Sequence, residues 1–250
     1  MITYKNLGRY GRFGNQLFEI AGTIGIAKNH GYAFGFPYWK NYDALERFGT
    51  SEDIDVQKWF VNPLPVADLD LPDYHIPWGY HDVIIQDNTN IVGHMQSEKY
   101  FEHCIDLIRY YFTMKDEPPY NDFCAVHWRA GDYQDGGSNA YHPRQSPEYY
   151  RQAMRHFPDN QKYLVFSDDI EGAKVMFDGK DVTFANGNTY EDFRLMKMCN
   201  HFIIANSSYS LMAAILAEQP DKKIVAPDLW FGKPARLETK DIYPKNTIII

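Results

Sequence analysis

Arg129 follows the short apolar run Phe123-Cys124-Ala125-Val126-His127-Trp128 and precedes Ala130-Gly131-Asp132. An arginine leaving the end of a buried strand presents a planar fork of donors. Such a fork grips a pyrophosphate bidentately and offsets the charge that develops on a departing diphosphate. The plainer alternative is a surface ion pair with Asp132. Asn206-Ser207-Ser208 offers a second anion site, two hydroxyls and a helix N-terminus after the apolar run Phe202 to Ala205. Simple capping would need only one of those serines. Gly8, Gly11 and Gly14 are spaced GxxGxxG, not GxGxxG, so the dinucleotide fingerprint is missing. The loop leads into a helix read from Asn15, whose N–H groups could meet a phosphate or a sugar; a tight strand-to-helix turn accounts for the glycines equally well. Asp168-Asp169 invites a metal reading, but one of the pair is needed to cap a helix. Asp53-Ile54-Asp55 and Asp68-Leu69-Asp70 have DxD spacing, which chance supplies among 33 acidic residues, and the nine histidines show no paired metal spacing. The site is expected to need neither a metal nor a resident cofactor.

These residues require an α/β framework. After the strand at 123–128, Ser146-Pro147-Glu148 opens a helix with Ser as N-cap and Pro at its first position. Tyr163 to Phe166 is the next strand, and Asp169 caps the helix carrying Ala173, Val175 and Met176. Val182 to Ala185 follows as a strand, then Thr189-Tyr190-Glu191-Asp192 as a variant capping box. Phe202 to Ala205 and Ile224 to Ala226 complete five strands alternating with four helices, the pattern of a parallel sheet. The polar clusters at His127 to Asp132, Ser167 to Asp169, Asn186 to Asn188 and Asn206 to Ser208 all fall at carboxyl ends of strands, where such sheets bind ligands. In the first half, Ile2 to Tyr4 reads as a strand, Leu17 to Ala27 as a helix closed at Asn29-His30-Gly31, and Tyr32 to Phe36 as a second strand. Ile91 to Gly93 reads as a strand and Lys99 to Phe112 as a helix. Residues 37–87 read as short helices and loops. Asp116-Glu117-Pro118-Pro119-Tyr120 is a linker between an N-terminal lobe, 1–115, and a C-terminal nucleotide-binding lobe, 116–250.

A net charge of −8 argues against nucleic acid as a partner. Three well-separated cysteines argue against a disulfide framework, and no stretch of about 20 apolar residues is present to span a bilayer. The expected location is cytoplasmic, with at most a peripheral membrane contact.

Several segments, in chain order, resemble the inverting α-1,2-fucosyltransferases and the wider group of enzymes that use GDP-fucose. Gly11-Arg12-Phe13-Gly14-Asn15-Gln16 is similar to the family's opening Gly-Asn-Gln block, and Gln96-Ser97-Glu98-Lys99-Tyr100-Phe101 to its mid-chain QSEKYF segment. His127 to Asp132 corresponds to HxRRxD, Phe166 to Glu171 to FSDDIEW, and Ala205-Asn206-Ser207-Ser208 to the start of ANSSFSWWAAWL. Ala130 stands where the motif has its second Arg, Leu211-Met212 replace a Trp pair, and Thr247 stands where Trp is frequent.

The resemblance implies a GT-B-like α/β fold, two Rossmann-type lobes with a cleft between them. It implies inverting transfer of fucose from GDP-fucose to a glycan hydroxyl, α-1,2 to galactose, without a metal. Carried over by position, Arg129 binds the β-phosphate and Ser207 and Ser208 add phosphate contacts. His127 with Asp168 or Asp169 meets guanine or ribose, Asn206 belongs to the same block, and Gly14 and Asn15 face the pyrophosphate and acceptor. Asp132, the nearest carboxylate in sequence, is assigned as general base. The alternatives are another nucleotide-linked hexose as donor, or a catalytically silent protein that binds nucleotide sugars or glycans.

Overall fold

The computed structural model describes residues 1–41, 54–130, 140–232, 235 and 237–250. Two units are present, Met1–Asp116 with Glu238–Ile242, and Glu117–Leu237 with Tyr243–Ile250.

In the first unit, β1 (Ile2–Thr3), β2 (Phe34–Gly35), β3 (Asp73–His75) and β4 (Thr89–Val92) form a parallel sheet in the order β2-β1-β4-β3. The long helix α1 (Phe13–Asn29) is buried around most of its circumference, with Leu17, Phe18, Ile20, Ala21 and Ile24 fully inside. It ends where expected, Gly31 taking a positive φ of 69° just beyond the cap. Its start differs from the sequence reading. The helix begins at Phe13, not Asn15, and its N-cap Arg12 makes no side-chain cap bond. Burial of Phe13 against Trp39, ring centroids 5.8 Å apart, sets this end in place of a polar cap. The helix expected over 99–112 is broken into 3-10 turns at Glu98–Tyr100 and Glu102–Cys104, then α2 (Ile105–Tyr111). Phe101 interrupts it, with φ −139° and ψ 2°, to bury its ring against Phe18. Within 37–87 the described residues hold a 3-10 turn, Val56–Trp59, and β3, which the sequence reading lacked. Asp73-Tyr74-His75 lies at the sheet's edge and is largely exposed, so it carries no apolar alternation.

The second unit matches its sequence pattern closely. It runs β5 (Cys124–Trp128), α3 (Pro147–Met154), β6 (Tyr163–Ser167), α4 (Ile170–Met176), β7 (Val182–Phe184), α5 (Thr189–Lys197), β8 (His201–Ile203), α6 (Ser208–Leu216), β9 (Ile224–Ala226) and β10 (Ile248–Ile249). Ser146 accepts the Tyr149 N–H and Asp169 the Gly172 N–H, as capping residues should. The capping box before α5 is shifted by one residue. Asn188 is the N-cap, and Glu191 reaches back 3.0 Å to the Asn188 N–H. Asp192 instead accepts the Gly187 N–H. The sixth strand, β10, is only two residues long and pairs with β9. Every pair is parallel, in the order β7-β6-β5-β8-β9-β10, the Rossmann winding.

In the second unit the strand order reverses once, between β5 and β8; in the first, β1 leads outward to β2 while β4 returns from the opposite edge, so the central pair β1 and β4 is the matching reversal. Crevices at the carboxyl ends of such strand pairs are where open α/β sheets take ligands. Among the described residues, no helix is long and apolar enough to cross a membrane.

Candidate functional site

At the reversal point of the second unit, β5 delivers His127, Trp128 and Arg129, while the neighbouring β8 leads into Asn206, Ser207 and α6. His127 is buried, and its Nδ1 lies 2.8 Å from Ser210 Oγ in the first turn of α6. Its ring also packs against Tyr209, centroids 5.7 Å apart, and Tyr150 donates its hydroxyl to the His127 carbonyl. The histidine thus bolts the end of β5 to the start of α6. Burial, aided by the nearby Arg129 cation, pulls its pKa down to about 3, with Asp168 opposing. A neutral ring is what a packed joint requires, and it leaves Arg129 as the positive charge at this strand end.

Arg129 pairs through Nη1 with Asp168 Oδ2 at 2.8 Å. The other oxygen of Asp168 accepts the Ala130 N–H at 2.9 Å, so one carboxylate fixes both the backbone after β5 and the guanidinium. Asp169 is turned the other way. It caps α4 through Gly172, and its own N–H is held by Ser167 Oγ. Asn206 donates to the carbonyls of Pro143 and Trp230, a bracing role. Ser207 is the N-cap of α6 by position, yet its side chain makes no cap bond. The N-terminal N–H groups of this nine-residue helix therefore lack the usual side-chain acceptor from their cap, an arrangement suited to an anion.

Asp132, expected as a general base, lies outside the described residues, as does Asp53 of one DxD match. Asn15 and Gly14 belong to the first unit, in the first turn of α1. Gly11 has a φ of 68°, and a Cβ there would stand 2.6 Å from the Asn15 side chain, so this turn must be glycine. Gln16 donates to the Gly11 carbonyl and accepts from Trp39 Nε1, anchoring the loop internally. Asn15 accepts from Gln96 Nε2 at 2.7 Å, across the reversal point between β1 and β4.

Beside Gln96, the first unit holds a cavity of about 190 Å³. Tyr10, Trp78, Tyr80, His94, Glu238 and Asp241 are among its lining residues. Sequence reasoning named none of them as site residues. One signal was available: Glu19, the one acidic residue of α1, is buried and lies directly behind His94. Among the described residues no cluster of three His, Cys, Asp or Glu side chains is arranged to hold a metal ion.

The model of glycosyl transferase family 11 matches residues 6–250. An alpha-1,2-colitosyltransferase of Escherichia coli is 30% identical over 183 residues, 65% of this chain and 63% of that protein. The human galactoside alpha-(1,2)-fucosyltransferase 1 is 27% identical over 252 residues, 83% of this chain and 64% of its own. The chain thus spans less than two thirds of the length of these relatives. Among solved structures, a NodZ alpha-1,6-fucosyltransferase soaked with GDP-fucose superposes with a TM-score of 0.53 at 15% identity, covering 91% of this chain and 94% of that one. A second structure of NodZ, from Bradyrhizobium, gives 0.52 at 14% identity, with 86% and 92% covered. These likenesses show the fold, a GT-B-like α/β architecture built from two parallel sheets. With the model matched from residue 6 to residue 250, the chain belongs to glycosyl transferase family 11.

Proposed function

We propose that this protein transfers fucose from GDP-fucose to a hydroxyl of a β-galactoside, forming an α-1,2 linkage with inversion and without a metal. The observation that carries the reading is the reversal point of the second sheet. There the adjacent strands β5 and β8 bring Arg129 and the N-terminus of α6 to the same edge of the sheet. A nucleoside diphosphate is the leaving group such an edge suits. Arg129 meets the charge growing on the diphosphate, the α6 amides and the hydroxyls of Ser207 and Ser208 add donors, and Asp168 holds the guanidinium in place. His127 acts through packing, and Asp169 and Asn206 through bracing. In this reading the first unit, with Gly14 and Asn15, serves the acceptor, and the protein works in the cytoplasm.

The α-1,2 linkage is supported by the names of both relatives, which agree on it while differing in the sugar. That difference supports a second donor reading, transfer of colitose from its GDP-linked form. Incubating the protein with GDP-fucose, a β-galactoside panel and EDTA tests the main reading. The expected product is an α-1,2-fucosylated galactoside formed at the same rate with and without EDTA. Turnover with GDP-colitose alone moves the assignment to the second donor, and failure to bind GDP removes both.

A further inference from the structure

The cavity in the first unit has one wall of chemistry that the donor reading leaves unused. His94 follows β4 at the reversal point, and its Nδ1 lies 2.9 Å from Glu19 Oε1. Glu19 is wholly buried in α1, while the His94 side chain is 26% exposed and lines the cavity. With Nδ1 engaged by the carboxylate, Nε2 is the ring nitrogen left for a ligand. Tyr10 stacks on the imidazole, centroids 4.6 Å apart and planes 14° from parallel, and fixes its plane.

The local backbone is built around this placement. Gly93 has a φ of 153°, and a Cβ there would stand 2.8 Å from the Ile76 carbonyl, so only glycine admits the wall that starts at Ile76. Met95 takes a φ of 48°, a conformation disfavoured for a long side chain, and is buried. His94 and Gln96 flank that strained residue, one bound to Glu19 and the other to Asn15. The opposite wall is equally fixed. Trp78 donates to the Glu238 carbonyl, Tyr100 donates to Gly79, and Lys99 pairs with Asp241. A volume of about 190 Å³, with Tyr10, Trp78 and Tyr80 for the apolar face of a ring and carboxylates for its hydroxyls, suits one sugar.

We infer that this cavity binds the acceptor sugar and that His94, oriented by Glu19, removes the proton from the attacking hydroxyl. The inference rests on the transferase reading above. The hydroxyl O–H bond breaks and its proton passes to His94 Nε2, while the oxygen's electron pair forms the bond to the anomeric carbon. The bond from that carbon to the diphosphate breaks, and its pair leaves with GDP. Glu19 is a positioning residue: it holds the ring by Nδ1 and so leaves Nε2 toward the cavity. This places the base in the first unit.

The test uses the full chain with GDP-fucose, methyl β-galactoside as acceptor, and the variants H94Q, H94N, E19Q and D132N, each checked for GDP affinity by calorimetry. Both His94 variants are expected to lose about 10²- to 10⁴-fold in kcat, the range for a general base. Their GDP affinity should match wild type, and KM for the galactoside should move by less than about fivefold. E19Q keeps a hydrogen-bonding partner for His94 and should lose about tenfold in kcat with the same KM pattern, which a purely structural role would not give. A kcat within threefold of wild type in H94Q and H94N, or loss in D132N alone, overturns the inference and leaves the donor reading standing. A wild-type chain that binds no GDP overturns the donor reading instead. The His94 ring signals, followed by NMR during titration with methyl β-galactoside, then decide the cavity separately: shifts retain it as a sugar site, and unmoved signals reject it.

Discussion

Two histidines sit at the two sheet reversals, and their surroundings are opposite. His127 is enclosed between β5 and α6, beside a cation, and is held neutral. His94 stands at a cavity wall with a buried carboxylate behind it. The same side chain in the same topological place thus serves different ends. Enclosed next to Arg129 it cannot hold a proton near neutral pH, so it contributes rigidity and leaves the charge to the guanidinium. Backed by Glu19 through Nδ1, it presents Nε2 at the cavity wall, the atom we propose as the base. The lesson is that the fold selects where chemistry is done, while burial and the nearest charge select which chemistry.

The contrast is broken most strongly at Arg129. R129A removes the guanidinium that follows β5 and pairs with Asp168, and should lower kcat by about 10²- to 10³-fold, comparable to deleting a donor that meets developing charge. R129K should recover part of this, because ammonium restores charge without the planar fork. In the same assays KM for the galactoside should stay near wild type. If R129A raised that KM as much as it lowered kcat, the division between the two reversals would be wrong.

The second unit was legible in the sequence because its strands are buried runs and its helices carry real caps. Ser146, Pro147 and Asp169 could each be read by type and position. The box before α5 was misread by one residue because Thr189-Asp192 imitates the pairing that Asn188 and Glu191 make. The first unit was harder for three physical reasons. α1 starts by packing Phe13, not by a polar cap; Phe101 breaks a helix for the sake of a tertiary contact; and β3 is an exposed edge. The site followed the same division. Arg129 and Asp168 follow their strands directly and Ser207 comes four residues after its own, whereas the Glu19–His94 pair joins residues 75 apart through a fold that periodicity does not reveal.

Titration sharpens the comparison at a smaller scale. Glu19 has its pKa raised from 4.5 to about 7, chiefly by burial, against the opposing influence of His94 and Tyr4. Below pH 4.5 folded and unfolded chains both hold the proton. Between 4.5 and about 7 only the folded chain does, so stability falls as pH rises through this window, by at most about 3 kcal/mol. E19Q should remove that slope and raise the melting temperature at pH 7.5 relative to wild type. Tyr10, Tyr80, Glu238 and Asp241, the other titratable groups lining the cavity beside His94, are unchanged in that variant. His127 runs the other way. Its pKa falls from 6.5 to about 3, so as pH drops through that window only the unfolded chain gains the proton and stability is lost. H127Q should therefore flatten the acid side of the melting curve, and E19Q the side approaching neutrality. Matching changes on both sides from either variant would show that the two reversals are not separate.

The smallest effect separates two neighbours in one motif. Asn206 donates to the carbonyls of Pro143 and Trp230, so N206A should destabilise the second unit by about 1–3 kcal/mol, the cost of leaving buried partners unpaired. Ser207 makes no cap bond to α6, so S207A removes nothing the helix uses and should leave the melting temperature within about a degree. What it removes, in the donor reading, is one neutral donor to the diphosphate, worth about 0.5–1.5 kcal/mol, or roughly two- to tenfold. That should emerge as weaker GDP affinity by calorimetry with kcat almost unchanged. If S207A instead melts early and binds GDP normally, Ser207 is a helix cap after all, and the anion site at the start of α6 must rest on its backbone N–H groups alone.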